Sequence, residues 1–229
     1  MKPLLLTQQD SDSLQSLGRA SVQIVHDLKN QLNGLKLYAT FLRKRMEKGE
    51  RPADEMETVN KLIAGLDRAA SDLSTLVQFG QPLELKKRPG VDVQQIMREV
   101  AAPFSEPAPA RGGSTGLTIS RTEALPLAGD FDPSVLAEAL QSISAGAMKL
   151  QGGSENRAVE VSLRREVLES GTTAVIEWSG FNRLDYDPFR SFAGGDGIRM
   201  SLAAKVIEEH GGSAEHEERM LRVRLPLSS

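Results

Sequence analysis

Apolar residues recur at steps of three and four from about Ser11 to Lys48, a stretch without proline. Leu14, Leu17, Ile24, Leu28, Leu32, Leu35, Leu42 and Met46 carry the stripe, and Ser21 and Ala39 fill its gaps. This spacing puts them on one narrow face of a helix. A near-heptad period sustained so long predicts a seam against another helix. Asp10, Ser11 and Asp12 offer N-cap chemistry at its start. Lys48-Gly49-Glu50-Arg51-Pro52 breaks the pattern, with Gly49 suited to a C-cap and Pro52 to the first turn of a new helix. A second stripe, through Met56, Val59, Leu62, Ile63, Leu66, Leu73 and Leu76, predicts a helix from about Pro52 to Phe79, stopped by Gly80-Gln81-Pro82. The short connection makes the two helices antiparallel neighbours. One hairpin buries two such stripes poorly, so a four-helix bundle made by a homodimer is expected.

Beyond Pro82 the period changes. Gln81 to Gly90, with two prolines and a basic run, reads as a linker. Asp92 is placed to cap a helix carrying Val93, Ile96, Met97 and Val100 and ending before Pro103, followed by a loop from Pro103 to Gly116. Strands are expected at Leu117 to Ser120, Ala158 to Val167, Thr172 to Trp178 and Met220 to Leu225, where Val159, Val161 and Leu163 alternate, as do Leu221, Val223 and Leu225. Glu169-Ser170-Gly171 reads as a hairpin turn, and helices are expected at Pro133 to Lys149 and Ile198 to Glu209. The fold class is therefore α+β, an antiparallel helical hairpin over 1–82 followed by an α/β sandwich over 83–229.

Composition narrows the chemistry. The 229 residues are 39% hydrophobic and 26% charged, which is ordinary for a globular chain. A net charge of −3 and 4% aromatic residues argue against a nucleic-acid surface. There is no cysteine, and the three histidines, at 26, 210 and 216, are scattered, so no metal centre is expected. No run approaches a membrane span and Met1 to Leu6 is too short for a signal peptide, so a cytoplasmic location and no membrane partner are expected. His210 would end its helix as a cation suited to a C-terminus, and His216, in the charged stretch from Glu215 to Arg219, would be solvated.

The candidate chemistry lies at Val25-His26-Asp27-Leu28-Lys29-Asn30-Gln31-Leu32. His26 falls between stripe positions, off the seam, and shares a face with Asn30 and Asn33. Lys29 is adjacent, and Asp27 lies about 100° round the helix at the edge of that face. A lone His there is ordinarily just part of a solvated face. A neutral imidazole beside a carboxylate is also a nucleophile near neutral pH, its tautomer fixed by the acid.

The sequence from His26 to Leu32 resembles the H-box of two-component histidine kinases: His, an acid, two variable residues, Asn or Thr, often Pro, then Leu. Gln31 stands where the Pro is frequent. The run from Gly197 to Gly212, ending His210-Gly211-Gly212, resembles the G2 box and following helix of the family's Bergerat-like ATPase domain, and Leu125 to Asp130 with Leu136 to Leu140 resemble the approach to its N-box. The resemblance covers about residues 15 to 225. It implies that His26 is the phosphoacceptor, that Asp27 orients it and serves as base, and that Asn30 contacts the phosphoryl group or an incoming partner.

The departures fall in the nucleotide boxes. Gly146 stands where the family's magnesium-holding Asn is placed, and Ser142 one turn earlier, where a polar Asn or Glu serves the phosphates. Trp178 replaces the adenine-binding Asp of the G1 box in the register Trp178-Ser179-Gly180. In the G2 box Gly197 is kept and the last Gly is Arg199, whose side chain obstructs a backbone approach to phosphate. The stretch between Gly180 and Gly195, where the family has its ATP lid, is short. No bound cofactor is therefore expected, neither ATP nor a resident metal.

Together these imply a histidine phosphotransferase passing phosphoryl groups between receiver-domain aspartates through His26, with magnesium brought by the response-regulator receiver. An autokinase with atypical ATP contacts and a non-catalytic dimeric scaffold for a response regulator are the alternatives. A plain α/β sandwich without ligand competes for the second domain, with Trp178 as core packing.

Overall fold

The structure, a computed structural model, describes residues 25, 28–44, 46–47, 53–105, 116–151, 158–169, 171–192 and 194–228. Its contacts divide the chain into two units, Met1–Pro82 and Leu83–Ser229. Among the described residues no helix is long and apolar enough to cross a membrane.

In the first unit, helix α1 covers 28–44 and helix α2 is Ala53–Gly80. Lys36 Nζ lies 2.5 Å from Asp67 Oδ1, joining the two helices at points about equally far from the Lys48 to Pro52 break. The stripe of α1 divides by exposure: Ala39 and Met46 are buried, while Leu28, Leu35 and Leu42 are exposed, as is Leu62 of α2. The expected caps at Asp10 to Asp12 and the Gly49 turn lie outside the described residues.

The second unit starts with strand β1 (Arg88–Asp92), in the predicted linker, antiparallel to β3 (Ala128–Phe131). Gly90, at φ 72°, sits at the register shift of this pair. Helix α3 (Val93–Ser105) begins under Asp92, whose Oδ1 accepts from the Gln94 and Leu127 amides at 3.0 and 3.1 Å. It runs through Pro103 rather than ending before it. Proline in the last turn forfeits one hydrogen bond, and Glu99, which loses the donor, is exposed to solvent that can replace it.

Strand β2 (Leu117–Arg121), helix α4 (Pro133–Leu150), strands β4 (Val159–Leu168) and β5 (Gly171–Ser179), helix α5 (Gly194–Glu209) and strands β6 (Ser213–Glu217) and β7 (Met220–Pro226) complete it. The sheet order is β2-β4-β5-β7-β6, with β2 and β4 parallel and the other neighbours antiparallel. Alternation aims Val161, Leu163, Ile176, Trp178, Leu221 and Val223 at Leu136, Leu140, Ile143 and Ile207 of the helices. All of these are essentially fully buried, each such side chain stabilising the fold by about 1.5–3 kcal/mol.

The opposite sheet face is a ladder of ion pairs. Glu177 of β5 receives Arg222 Nε of β7 at 2.8 Å and Arg164 Nη2 of β4 at 3.4 Å, and Arg224 Nη1 reaches Glu215 of β6 at 2.6 Å. Burial alone raises the Glu177 carboxyl, but Arg222 and Arg164 outweigh it and hold the group below the usual carboxylate range. This ladder explains β6, whose charged residues read as a solvated stretch. His216, expected to be solvated, is half-buried on this edge strand, opposite Leu221.

Candidate functional site

His26 and Asp27 lie outside the described residues. Asn30 and Asn33 stand exposed on α1, with Lys29 half-buried. At 100° per residue, the Asn30 face continues through Leu37 and Phe41, with Tyr38 at its edge, and all three are exposed. This face differs from the one that buries Ala39 and Met46.

In the second unit the chemistry-bearing positions are set by the packing of α4 on α5. Asp132 caps α4, its Oδ1 accepting from the Ser134 and Val135 amides at 3.1 and 3.2 Å, with Pro133 in the first turn. Its Oδ2 accepts from the Lys86 amide at 2.8 Å, tying the start of the unit to the same cap. The Asp132 amide in turn donates to His210 Nε2 at 3.0 Å. Nε2 is therefore the unprotonated nitrogen, and Nδ1–H donates to the Val206 carbonyl at 2.8 Å. Burial pushes the His210 pKa below its ordinary value, the Lys87 charge adding to this against the opposing Val206 bond and Asp132 charge. His210 thus ends its helix as a neutral, buried imidazole instead of the expected cation. It fastens the end of α5 to the beginning of α4.

The other ends of these helices enclose a cleft of about 520 Å³, lined by Gly146, Lys149 and Leu150 of α4, Asp196, Gly197 and Met200 of α5, and Tyr186, Pro188 and Ser191 between β5 and α5. Lys149 Nζ meets Asp196 Oδ1 at 2.6 Å, and Arg199 Nη1 meets the same oxygen at 3.3 Å. The segment between Gly180 and Gly195 is held by buried Phe181 and Phe189, and the Leu184 amide donates to the Glu218 carbonyl at 3.0 Å. Ser201 Oγ donates to the Ser191 carbonyl at 3.0 Å.

The structure brings together only some of the positions singled out in the sequence. Gly146 and Gly197 line the cleft; Ser142, Trp178, Gly180 and Arg199 are not among its lining residues. Trp178 is fully buried, its Nε1–H donating to Ser144 Oγ at 3.0 Å. Gly180 adopts φ 100°, and a Cβ there would stand 2.9 Å from the Ala158 carbonyl oxygen. At Gly197 a Cβ would meet the Ser191 carbonyl oxygen at 2.7 Å, so this glycine lets α5 close on the preceding segment. At Gly146 the obstacle is Met200, whose Sδ lies 2.0 Å from where a Cβ would be. Sequence reasoning missed Met200 and Ser144. A glycine on the buried face of a predicted helix is the signal that a large side chain from elsewhere fills its place. Among the described residues no three His, Asp or Glu side chains are grouped as metal ligands.

No family model matches the chain. The sensor histidine kinase ZraS of Klebsiella oxytoca is 24% identical over 216 residues, spanning 90% of this chain and 44% of ZraS. The chain therefore spans less than half the length of that relative. Among solved structures, full-length ShkA in complex with AMPPNP aligns over 90% of this chain and 45% of its own, at 20% identity and TM-score 0.64. The histidine kinase ThkA, in complex with the response regulator protein TrrA, aligns over 95% and 64%, at 17% identity and TM-score 0.61. The Acinetobacter baumannii histidine kinase AdeS aligns over 89% and 98%, at 14% identity and TM-score 0.56. The chain has the fold of a two-component sensor histidine kinase core, and its sequence resembles that core over most of its length.

Proposed function

We propose that the chain is a histidine phosphotransferase of a two-component phosphorelay, loaded from outside rather than by its own ATP. His26 takes a phosphoryl group from the aspartyl phosphate of one response-regulator receiver and delivers it to another. The lone pair of the unprotonated ring nitrogen attacks phosphorus, the P–O bond breaks, and the receiver carboxylate leaves with the electron pair. Asp27 holds the proton on the second ring nitrogen and stabilises the cation that forms. Asn30 contacts the phosphoryl oxygens or the incoming receiver. The receiver brings magnesium, so this chain needs only an accessible imidazole. Two copies join through Leu28, Leu35 and Leu42, which one hairpin leaves exposed.

The observation that carries the reading is the pair of substitutions at the nucleotide boxes: Gly146 lies under Met200, and Trp178 is turned into the core with its polar end used by Ser144. The presence of a response regulator in the ThkA structure supports the choice of partner. To test it, the protein is incubated with a labelled, phosphorylated receiver. Label is expected on wild type and lost in His26→Ala; label persisting in His26→Ala would exclude His26 as the acceptor.

The cleft of about 520 Å³, with Lys149 at its edge, favours a second reading, an autokinase with atypical ATP contacts. Micromolar binding of magnesium nucleotide, titrated by calorimetry, would decide for it.

A further inference from the structure

We infer that Met200 is the residue that closes the cleft to a metal-bound polyphosphate, by occupying the space above Gly146 where a metal-binding side chain would project. The inference deepens the phosphotransferase reading and rests on it.

Glycine inside a helix is unfavourable, so its place on the buried face of α4 calls for a packing reason. That reason is Met200. Its Sδ, Cγ and Cε lie 2.0, 3.0 and 3.5 Å from the position of a Cβ on residue 146, and the residue is only 3% exposed. The thioether is seated in the hole that the missing side chain leaves. Two neighbouring contacts hold it there. Gly197, one turn earlier on α5, lies against the Ser191 carbonyl, and Ser201, the next residue, donates to that same carbonyl. The first turns of α5 are thus drawn onto α4 with Met200 between them.

What remains of the cleft suits a hard cation poorly. Its lining contains one carboxylate, Asp196, which is already shared by Lys149 and Arg199. Magnesium requires oxygen ligands in near-octahedral order, and a thioether is a soft donor. Restoring an amide at position 146 alone therefore places it in competition with Met200.

A double-mutant cycle tests this. Gly146→Ala adds only the Cβ. It is expected to lower Tm in the wild-type background and to raise it in the Met200→Ala background, where alanine's better helix propensity acts without the clash. The same sign in both backgrounds would overturn the packing claim. Gly146→Asn and Gly146→Asn/Met200→Ala are then titrated with Mn²⁺ and ADP. The double variant is expected to bind the metal–nucleotide at least tenfold more tightly, about 1.4 kcal/mol. Equal affinities would overturn the role of Met200 in selectivity while leaving the relay untouched. Metal-dependent ADP binding by the unaltered chain would overturn both.

Discussion

In α1, Leu28, Leu35 and Leu42 stand 44%, 54% and 50% exposed, whereas Leu136 and Leu140 of α4 are at 0%. Both sets occupy regular helical stripes, so periodicity does not distinguish them. The difference lies in what each unit supplies as a counter-surface. The α/β unit covers α3, α4 and α5 with a five-stranded sheet and ties its helix ends through Asp132 and His210. Among its described residues the helical unit has two helices, and Leu28, Leu35 and Leu42 of its stripe stay exposed. A sealed core accounts for its own stability; on α1 the leucine stripe, on the face away from Asn30 and Asn33, is left exposed.

The strongest way to break this contrast is to cut the same side chain from each unit. Leu140→Ala should destabilise the α/β unit by about 2–5 kcal/mol, measured by denaturant unfolding. A cost near that of a surface change would show that the core is not where stability resides.

Asp132→Ala removes the acceptor for Ser134, Val135 and Lys86 together and should cost about 1–2 kcal/mol in the same unit, with the helical unit unaffected. Burial raises the Asp132 pKa, but its three backbone hydrogen bonds and His210 bring it below the usual value. A depressed carboxylate contributes stability that is present above the unfolded pKa, near 4. That contribution disappears as pH falls through the folded value.

His210 supplies a second pH step. Its folded pKa lies below 6.5, so on acidification the unfolded chain takes up this proton first. Stability of the α/β unit should therefore decline as pH falls from about 6.5, and His210→Gln should flatten that part of the profile. An unchanged profile in His210→Gln would remove His210 from the account.

The smallest effect on folding is expected from Leu35→Ala, about 0.5 kcal/mol or less within one hairpin. Its consequence should appear instead as weaker self-association in sedimentation equilibrium. A large loss of folding stability with unchanged oligomeric state would reverse the comparison.

Much of this fold is legible in the sequence where one face of an element is apolar. β4, β5 and β7 show period two because every second residue meets the helices. β3 and β6 were missed for opposite reasons: β3 is four residues long and includes a glycine, while Glu215 and Glu217 of β6 are charged because their partners are Arg224 and Arg222. A strand stabilised by cross-strand ion pairs looks like a solvated loop until its neighbours are known. The candidate site is less legible: His26 and Asp27 lie outside the described residues, and the resemblance that assigns Gly146 and Trp178 to nucleotide boxes gives no sign that Met200 fills the space over the first and Ser144 accepts from the indole of the second.

The central claim is that phosphate reaches position 26 from another protein. The most direct measurement supplies two donors in parallel, labelled magnesium ATP alone and a labelled phosphorylated receiver alone, and follows acid-labile phosphohistidine on wild type and His26→Gln. The account predicts label on wild type from the receiver only, and none on His26→Gln from either donor. Phosphohistidine formed from magnesium ATP alone, dependent on His26, would contradict it.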